Sequence, residues 1–171
     1  MKQNPVKEYL RAVLRGIIKA EKTSGKPHKQ YYSKEELILK YGMDFKRVIP
    51  LPVGVRKRKK QQCYQNVYQA ICKNQEEYYY CEGYATVNDR FFCLHAWLVN
   101  KKCDVIDPTW EDGKHYYGII FKFSYVMNSM AKVGKFISIL ENLYDCSENY
   151  PLLKKSSKGL QKYIISPDEL S

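Results

Sequence analysis

Between residues 78 and 123 four apolar runs follow one another, separated only by Asn88-Asp89, Asn100-Lys101-Lys102 and Glu111-Asp112-Gly113. Connections this short join antiparallel neighbours, because a parallel pair needs a crossover of a dozen residues or more. The pattern therefore predicts strands over 78–87, 91–99, 103–109 and 116–123, arranged as an antiparallel meander. The chain is rich in tyrosine, 16 in all, with adjacent pairs and triplets such as Tyr78-Tyr79-Tyr80 and Tyr116-Tyr117. Tyrosine suits strands and cleft walls, because the ring packs while the hydroxyl reaches water or a partner.

Helical patterns flank this sheet, so the fold class is α+β. Asn4-Pro5 reads as an N-cap followed by proline in the first helical turn. Val6, Tyr9, Leu10, Val13, Leu14, Ile17 and Ile18 then recur at helical spacing up to Ser24-Gly25-Lys26-Pro27, predicting an amphipathic helix packed on the core. Ser33-Lys34-Glu35-Glu36 has the form of a capping box opening a short helix that Gly42 stops. Residues 43–60, with Pro50, Pro52 and Gly54, read as an extended connector. A further helix is expected from Cys63 to about Asn74, with Tyr64, Val67, Tyr68 and Ile71 on one face. Residues 124–171 are expected to hold one or two helices and a short strand near 163–165. A chain of 171 residues makes one domain, divided into a basic N-terminal region and connector (1–60), a core (61–123) and a C-terminal extension (124–171).

Charge is unevenly distributed. Residues 1–60 carry 17 Lys/Arg against 5 Asp/Glu, and the remainder carries 12 against 13. Such asymmetry fits either a solvated basic face or a surface for nucleic acid or an acidic protein. The run Arg56-Lys57-Arg58-Lys59-Lys60 is the anion-binding candidate. No stretch approaches the roughly 20 apolar residues of a membrane span, and no leader-like apolar segment opens the sequence. The expected setting is therefore cytoplasmic, with the six cysteines reduced. There is no CxxC pair, no HxxxH and no acidic calcium loop, so neither a metal nor a cofactor is expected.

Among the cysteines, Cys63 stands out because it falls at the start of a predicted helix. A helix N-terminus and a neighbouring imidazolium both favour the thiolate, the form in which cysteine is a nucleophile. Cys72, Cys81, Cys93, Cys103 and Cys146 read as small buried hydrophobes. His95 lies in the apolar run Phe91-Phe92-Cys93-Leu94-His95-Ala96-Trp97-Leu98-Val99, where alternation puts Cys93, His95, Trp97 and Val99 on one face. With residues 100–102 as a three-residue loop, Val99 pairs with Cys103 and His95 stands opposite Asp107. Directly opposed Cβ atoms lie about 4.5–5.5 Å apart, so the carboxylate could orient the imidazole. The resulting roles are attack by Cys63, proton exchange by His95 and orientation by Asp107. Cleft and oxyanion candidates are the Cys63 backbone N–H, Gln62, Tyr64, Asn66, Trp97 and Trp110, with core packing the stronger reading for Trp97. Glu82, which precedes Gly83 in a strand, reads at least as readily as a buried hydrogen-bonding group as a catalytic one.

The blocks Gln62-Cys63-Tyr64, Glu82-Gly83-Tyr84-Ala85, His95-Ala96-Trp97 and Asp107-Pro108-Thr109 resemble the transglutaminase-like cysteine superfamily. That family commonly shows a Gly-x-Cys segment opening a helix, a Gly-Tyr strand, a His-Ala-Trp strand and an Asp-Pro-Thr strand end. Gln61 stands where the family often has glycine, and Tyr64 replaces a frequent tryptophan. The resemblance spans about residues 61–123. It implies a papain-like α+β core and cofactor-free acyl chemistry on a peptide or other amide substrate: hydrolysis, deamidation or transamidation. Small size and basic charge would suit a bacterial or phage accessory protein. The competing expectation is an inactive member of the same fold that binds nucleic acid or an acidic protein through its basic region.

Overall fold

The computed structural model describes residues 4–24, 30–142 and 151–170. Helices α1 (Pro5–Ser24) and α2 (Lys34–Tyr41) come first, followed by strand β1 (Met43–Phe45), a connector and helix α3 (Cys63–Ile71). Strands β2 (Tyr78–Thr86), β3 (Phe92–Asn100), β4 (Val105–Ile106) and β5 (His115–Phe121) form the meander, and helix α4 (Phe123–Val133) leaves it. A 3-10 turn, a short helix α5 (Ser157–Leu160), a two-residue strand β6 (Ile164–Ile165) and a last 3-10 turn complete the described chain. The class is α+β, with a curled antiparallel sheet. Among the described residues no helix is long and apolar enough to cross a membrane.

The sheet order is β1-β5-β2-β3-β4, with β6 sharing the β1 edge of β5. Its two ends are tied together by the chain that leaves β1. Val48 bridges Val105 in parallel, the Val105 N–H donates to the Arg47 carbonyl at 2.8 Å, and the Ile49 N–H donates to the Val105 carbonyl at 2.9 Å. The Arg47 guanidinium also grips Asp104 through Nε at 2.6 Å and Nη2 at 2.5 Å. The sheet therefore curls around an inner cluster of Phe45, Cys81, Trp97, Val99, Tyr116 and Ile120. Its outer face carries the larger core, built from Tyr80, Tyr84, Leu98, Ile119 and Phe121 beneath the helices.

Trp97 explains two glycines. Its side chain is fully buried inside the curl, and Gly83 and Gly118 lie opposite one another on β2 and β5. A Cβ at Gly118 would overlap the Glu82 carbonyl and the Trp97 ring, and one at Gly83 would overlap the Tyr117 carbonyl. Small residues at this crossing let two strands approach closely around a large indole.

The helical expectations hold with local differences. The Asn4 side chain caps α1 by accepting from the Val6 N–H at 2.9 Å. Val6 and Leu10 are completely buried, and Tyr9 stacks on Phe92 at 4.7 Å between centroids. Val13, Leu14, Ile17 and Ile18 remain half-buried, because the helix overruns the sheet. At α2 the Ser33 side chain makes no cap bond, and Glu36 accepts instead from the Tyr32 N–H at 2.6 Å. Cys72 departs from its expected place in the core: α3 ends one residue before it, leaving it exposed. Cys81 is buried, Cys93 and Cys103 are half-buried, and Cys146 and His28 lie outside the described residues.

The crowding at the strand crossing sets a testable contrast. Gly118→Ala should lower unfolding stability by about 2–3 kcal/mol through overpacking. Gly16→Ala, on an exposed stretch of α1 with no atom within 4 Å of the new methyl, should raise it by up to about 1 kcal/mol. Urea midpoints of the two variants against the parent protein measure both.

Candidate active site

The β3–β4 turn sets the site geometry, and it differs from the register expected. Leu98 pairs with Ile106 and Val99 with Val105, so the three-residue loop comprises Lys101, Lys102 and Cys103. Asn100 is the physical reason. Its side-chain oxygen accepts from the Lys102 and Asp104 amides, both at 2.9 Å, and its backbone N–H donates to the Asp104 carbonyl at 3.2 Å. Cys103, with φ 59°, closes the loop in the left-handed region. Moving the loop by one residue shifts the pairing by two, which preserves the faces. Asp107 therefore stays on the His95 side, just past the end of β4, and reaches the imidazole diagonally rather than from directly opposite.

There the Asp107 carboxylate is surrounded by donors. Oδ2 lies 2.8 Å from His95 Nε2 and accepts from the Tyr116 hydroxyl at 2.8 Å. Oδ1 accepts from the Thr109 and Trp110 amides at 2.8 and 2.9 Å. Both His95 and Asp107 side chains are 2% exposed. Burial pushes the Asp107 carboxyl up, but the facing His95 and the two amides outweigh it and hold it below the ordinary carboxylate value. Burial likewise pushes the imidazole down, and the Asp107 charge, its hydrogen bond and a hydrogen bond with Cys63 reverse this, raising His95 to about 9. The Trp110 ring stacks on the imidazole at 4.0 Å and 11°, an arrangement that also favours a cationic ring.

Cys63 is the first residue of α3 and is half-buried. Since Nε2 of His95 is taken by Asp107, Nδ1 is the ring nitrogen left for the sulfur. Gln61, just upstream, has φ 64°, so a side chain occupies the left-handed conformation that glycine adopts at least cost. Gln62 caps the helix with its backbone, its carbonyl accepting from the Asn66 N–H at 2.8 Å. Its side chain makes no hydrogen bond among the described residues.

The other candidates separate into distinct places. Asn66 is 3% exposed and donates to the Lys59 carbonyl at 2.7 Å and to Thr109 Oγ1 at 3.0 Å. It fastens the connector to α3 and to the Asp107 segment instead of lining a cleft. Trp97 is core. Tyr64 is half-buried in the first turn of α3, close to Ser138, and burial raises its hydroxyl strongly. Arg58 is held by Gln69 at 2.7 Å, and its N–H donates to the Pro108 carbonyl at 2.8 Å. Lys57 pairs with Glu111 at 3.4 Å, whereas Arg56, Lys59 and Lys60 are exposed. Tyr116 is the site residue that sequence reasoning passed over. Its position beside Tyr117 placed one of the two inside the sheet, but only the curl shows which one meets Asp107.

Beside Trp110 a groove of about 450 Å³ is walled by Val87, Phe91 and Trp110 and rimmed by Lys57, Lys60, Glu111 and Asp112. Phe91 is 65% exposed at its edge. A second groove of about 450 Å³ is lined by Gly54, Arg56, Lys57, Arg58 and Lys73. Among the described residues no group of His, Cys, Asp and Glu is suited to hold a metal ion. No family model, curated protein or solved structure matches the chain.

The buried pair makes a pH prediction. The raised His95 value means that its stabilising contribution is complete below about pH 6.5, the ordinary histidine value, and is lost as pH rises through about 9. Asp107→Asn removes the charge that reverses the burial effect, so the His95 imidazole should then titrate below about 6.5. Imidazole NMR titration checks the shift. Thermal melts from pH 6 to 10 should show the alkaline loss in the parent protein and its absence in the variant.

Proposed function

We propose that this protein is a cysteine-dependent acyl-transfer enzyme of transglutaminase-like type, acting on an amide or peptide substrate. The observation that carries the reading is the position of His95: its Nε2 meets Asp107, whose carboxylate has four donors, and Cys63, at the first position of a helix, lies near enough to contribute to raising the imidazole. The three side chains come from three separate segments, the start of α3, the middle of β3 and the turn after β4. The papain-like arrangement, with a nucleophile at a helix N-terminus against an antiparallel sheet, belongs to the same reading.

In this reading the Cys63 sulfur, its proton held on His95, attacks the carbonyl carbon of an amide. The C–N bond then breaks, His95 returns the proton to the departing amine, and a thioester to Cys63 remains. Water or a second amine attacks the thioester, giving its proton to His95, and the sulfur leaves. Asp107 keeps the ring in one tautomer and balances its charge throughout. The developing oxyanion meets the Cys63 N–H at the start of α3, with the free Gln62 amide as the second donor. The groove beside Trp110 is the place for the substrate, its apolar walls holding a side chain and its mixed-charge rim holding the backbone.

A second reading, an inactive binding module for nucleic acid or an acidic protein, is favoured by the other groove. Arg56, Lys57, Arg58 and Lys73 line it without an acidic residue. Its affinity would fall steeply with salt.

Limiting iodoacetamide with mass-spectrometric mapping separates the two. Cys63 should react first among the cysteines at pH 6–7, where ordinary thiols are mostly protonated, and His95→Ala should abolish the preference. Cys63→Ala should retain the fold and lose all turnover in an amide-substrate screen. An accessible but unreactive Cys63, together with salt-dependent oligonucleotide binding lost in Arg56→Glu/Lys73→Glu, would decide for the binding module.

A further inference from the structure

Glu82 is fully buried on β2 and makes no ion pair among the described residues. Its neighbours are Ala96 on β3 and Ile119 on β5, so the carboxylate lies on the outer face of the sheet, under the helices. Four donors converge on it. Oε1 accepts from the Ser138 hydroxyl and from the Leu140 N–H at 3.2 Å, and Oε2 accepts from the Ile139 N–H at 2.9 Å and the Tyr80 hydroxyl at 3.2 Å. Burial nonetheless pushes its carboxyl up to about 7. A carboxylate without a cation is a costly way to hold a turn, and apolar packing would do the same at less expense.

What the carboxylate holds lies next to Cys63. The 138–141 turn presses Ile139 and Leu140 into the core, each 1% exposed. Ser138 Oγ also accepts from the Glu141 N–H at 3.0 Å, and the Ser138 hydroxyl lies near enough to Tyr64 to oppose part of the upward push of burial on its phenol. Tyr64 follows Cys63 directly in the first turn of α3, and Glu82 lies near enough to both Tyr64 and Tyr80 to help raise their hydroxyls. The turn that Glu82 holds thus meets the start of α3 where Ser138 lies beside Tyr64. Outside the turn, Lys34 ties Glu141 to Glu35 at 3.0 and 3.3 Å, bracing the same segment from α2.

We propose that Glu82 is a positioning residue for the nucleophile: by locking the 138–141 turn it fixes Tyr64, and with it the first turn of α3 and the line of the Cys63 sulfur toward His95. The proposal rests on the reading of Cys63 as a nucleophile. Asp107 sets the imidazole from one side, and Glu82 sets the helix start from the other. A misplacement of about 1 Å between reacting groups is enough to cost orders of magnitude in rate.

The test is the rate of Cys63 alkylation by iodoacetamide at pH 7, resolved by site, in the parent protein and in Glu82→Gln, Ser138→Ala, Tyr64→Phe and Ser138→Thr. Cys63 should slow about tenfold in the first three, while exposed Cys72 and half-buried Cys93 keep their rates and near-ultraviolet dichroism stays that of the folded protein. Ser138→Thr, which retains the hydroxyl, should retain the rate; a merely structural loss of packing would not follow the hydroxyl in this way. Should Glu82→Gln fail to fold, Tyr64→Phe decides, since it keeps the ring and removes only the hydroxyl. A reactive Cys63 in the parent protein with unchanged rates in Ser138→Ala and Tyr64→Phe overturns the positioning role and leaves the acyl-transfer reading standing. An inert Cys63 in the parent protein overturns both.

Discussion

The Asp107 carboxylate is the constraint around which the candidate site is organised. A buried carboxylate is tolerated only when its lone pairs are met, and here the donors come from three directions. The Thr109 and Trp110 amides are supplied by the chain's own turn, His95 by β3, and the Tyr116 hydroxyl by β5. Satisfying one charge therefore fixes a strand end, an imidazole and a ring at once. Trp110 is placed on the imidazole by the same turn that gives its amide to Asp107. The position of Asp107 in turn depends on the Asn100 side chain, which sets where the β3–β4 loop begins.

The abundance of tyrosine follows the same logic. Three internal carboxylates each receive a tyrosine hydroxyl: Tyr84 donates to Glu35 at 2.7 Å, Tyr80 to Glu82 at 3.2 Å and Tyr116 to Asp107 at 2.8 Å. All three rings belong to the central strands and bury their carbon faces in the two cores. Tyrosine helps a small domain carry negative charge inside, because one side chain supplies both apolar area and a donor. Two of the pairs join separate elements, α2 to the sheet and the Asp107 turn to β5, while the third lies within β2, where Glu82 also holds the 138–141 turn.

Much of this was legible in the residues themselves, because alternation has a period of two and helices a period near 3.6. The strands at β2, β3 and β5, the start of α3 at Cys63, and the shared face of Cys93, His95, Trp97 and Val99 all follow from those periods. The loop at 101–103 did not, since a local competition decided by one Asn side chain leaves no trace in periodicity. Cys72 was misplaced because helical spacing continues past the point where α3 loses its packing partner. The closure of the sheet by residues 46–49 was invisible for a different reason: it joins β1 to β4 through backbone groups, which any sequence offers. The contacts of Tyr116 with Asp107 and of Ser138 with Glu82 depend on that curl and on long-range placement, so a linear pattern could not reveal them.

The connector before Cys63 shows how a stretch that reads as solvated charge can be structural. Asn66 holds the Lys59 carbonyl, Pro108 accepts the Arg58 N–H, and Gln69 takes the Arg58 guanidinium. These bonds tie the approach to α3 to the segment that follows Asp107, so the helix that begins at Cys63 and the Asp107 carboxylate share one scaffold. Gln61 then takes the left-handed turn that aims the chain into the helix. A flexible basic tail would have no need of that strain, whereas a connector bonded to both α3 and the segment after Asp107 holds it in place. The exposed cations of the run, Arg56, Lys59 and Lys60, are what remains after the backbone has been committed, and they point outward from a base already fixed on both sides of the site.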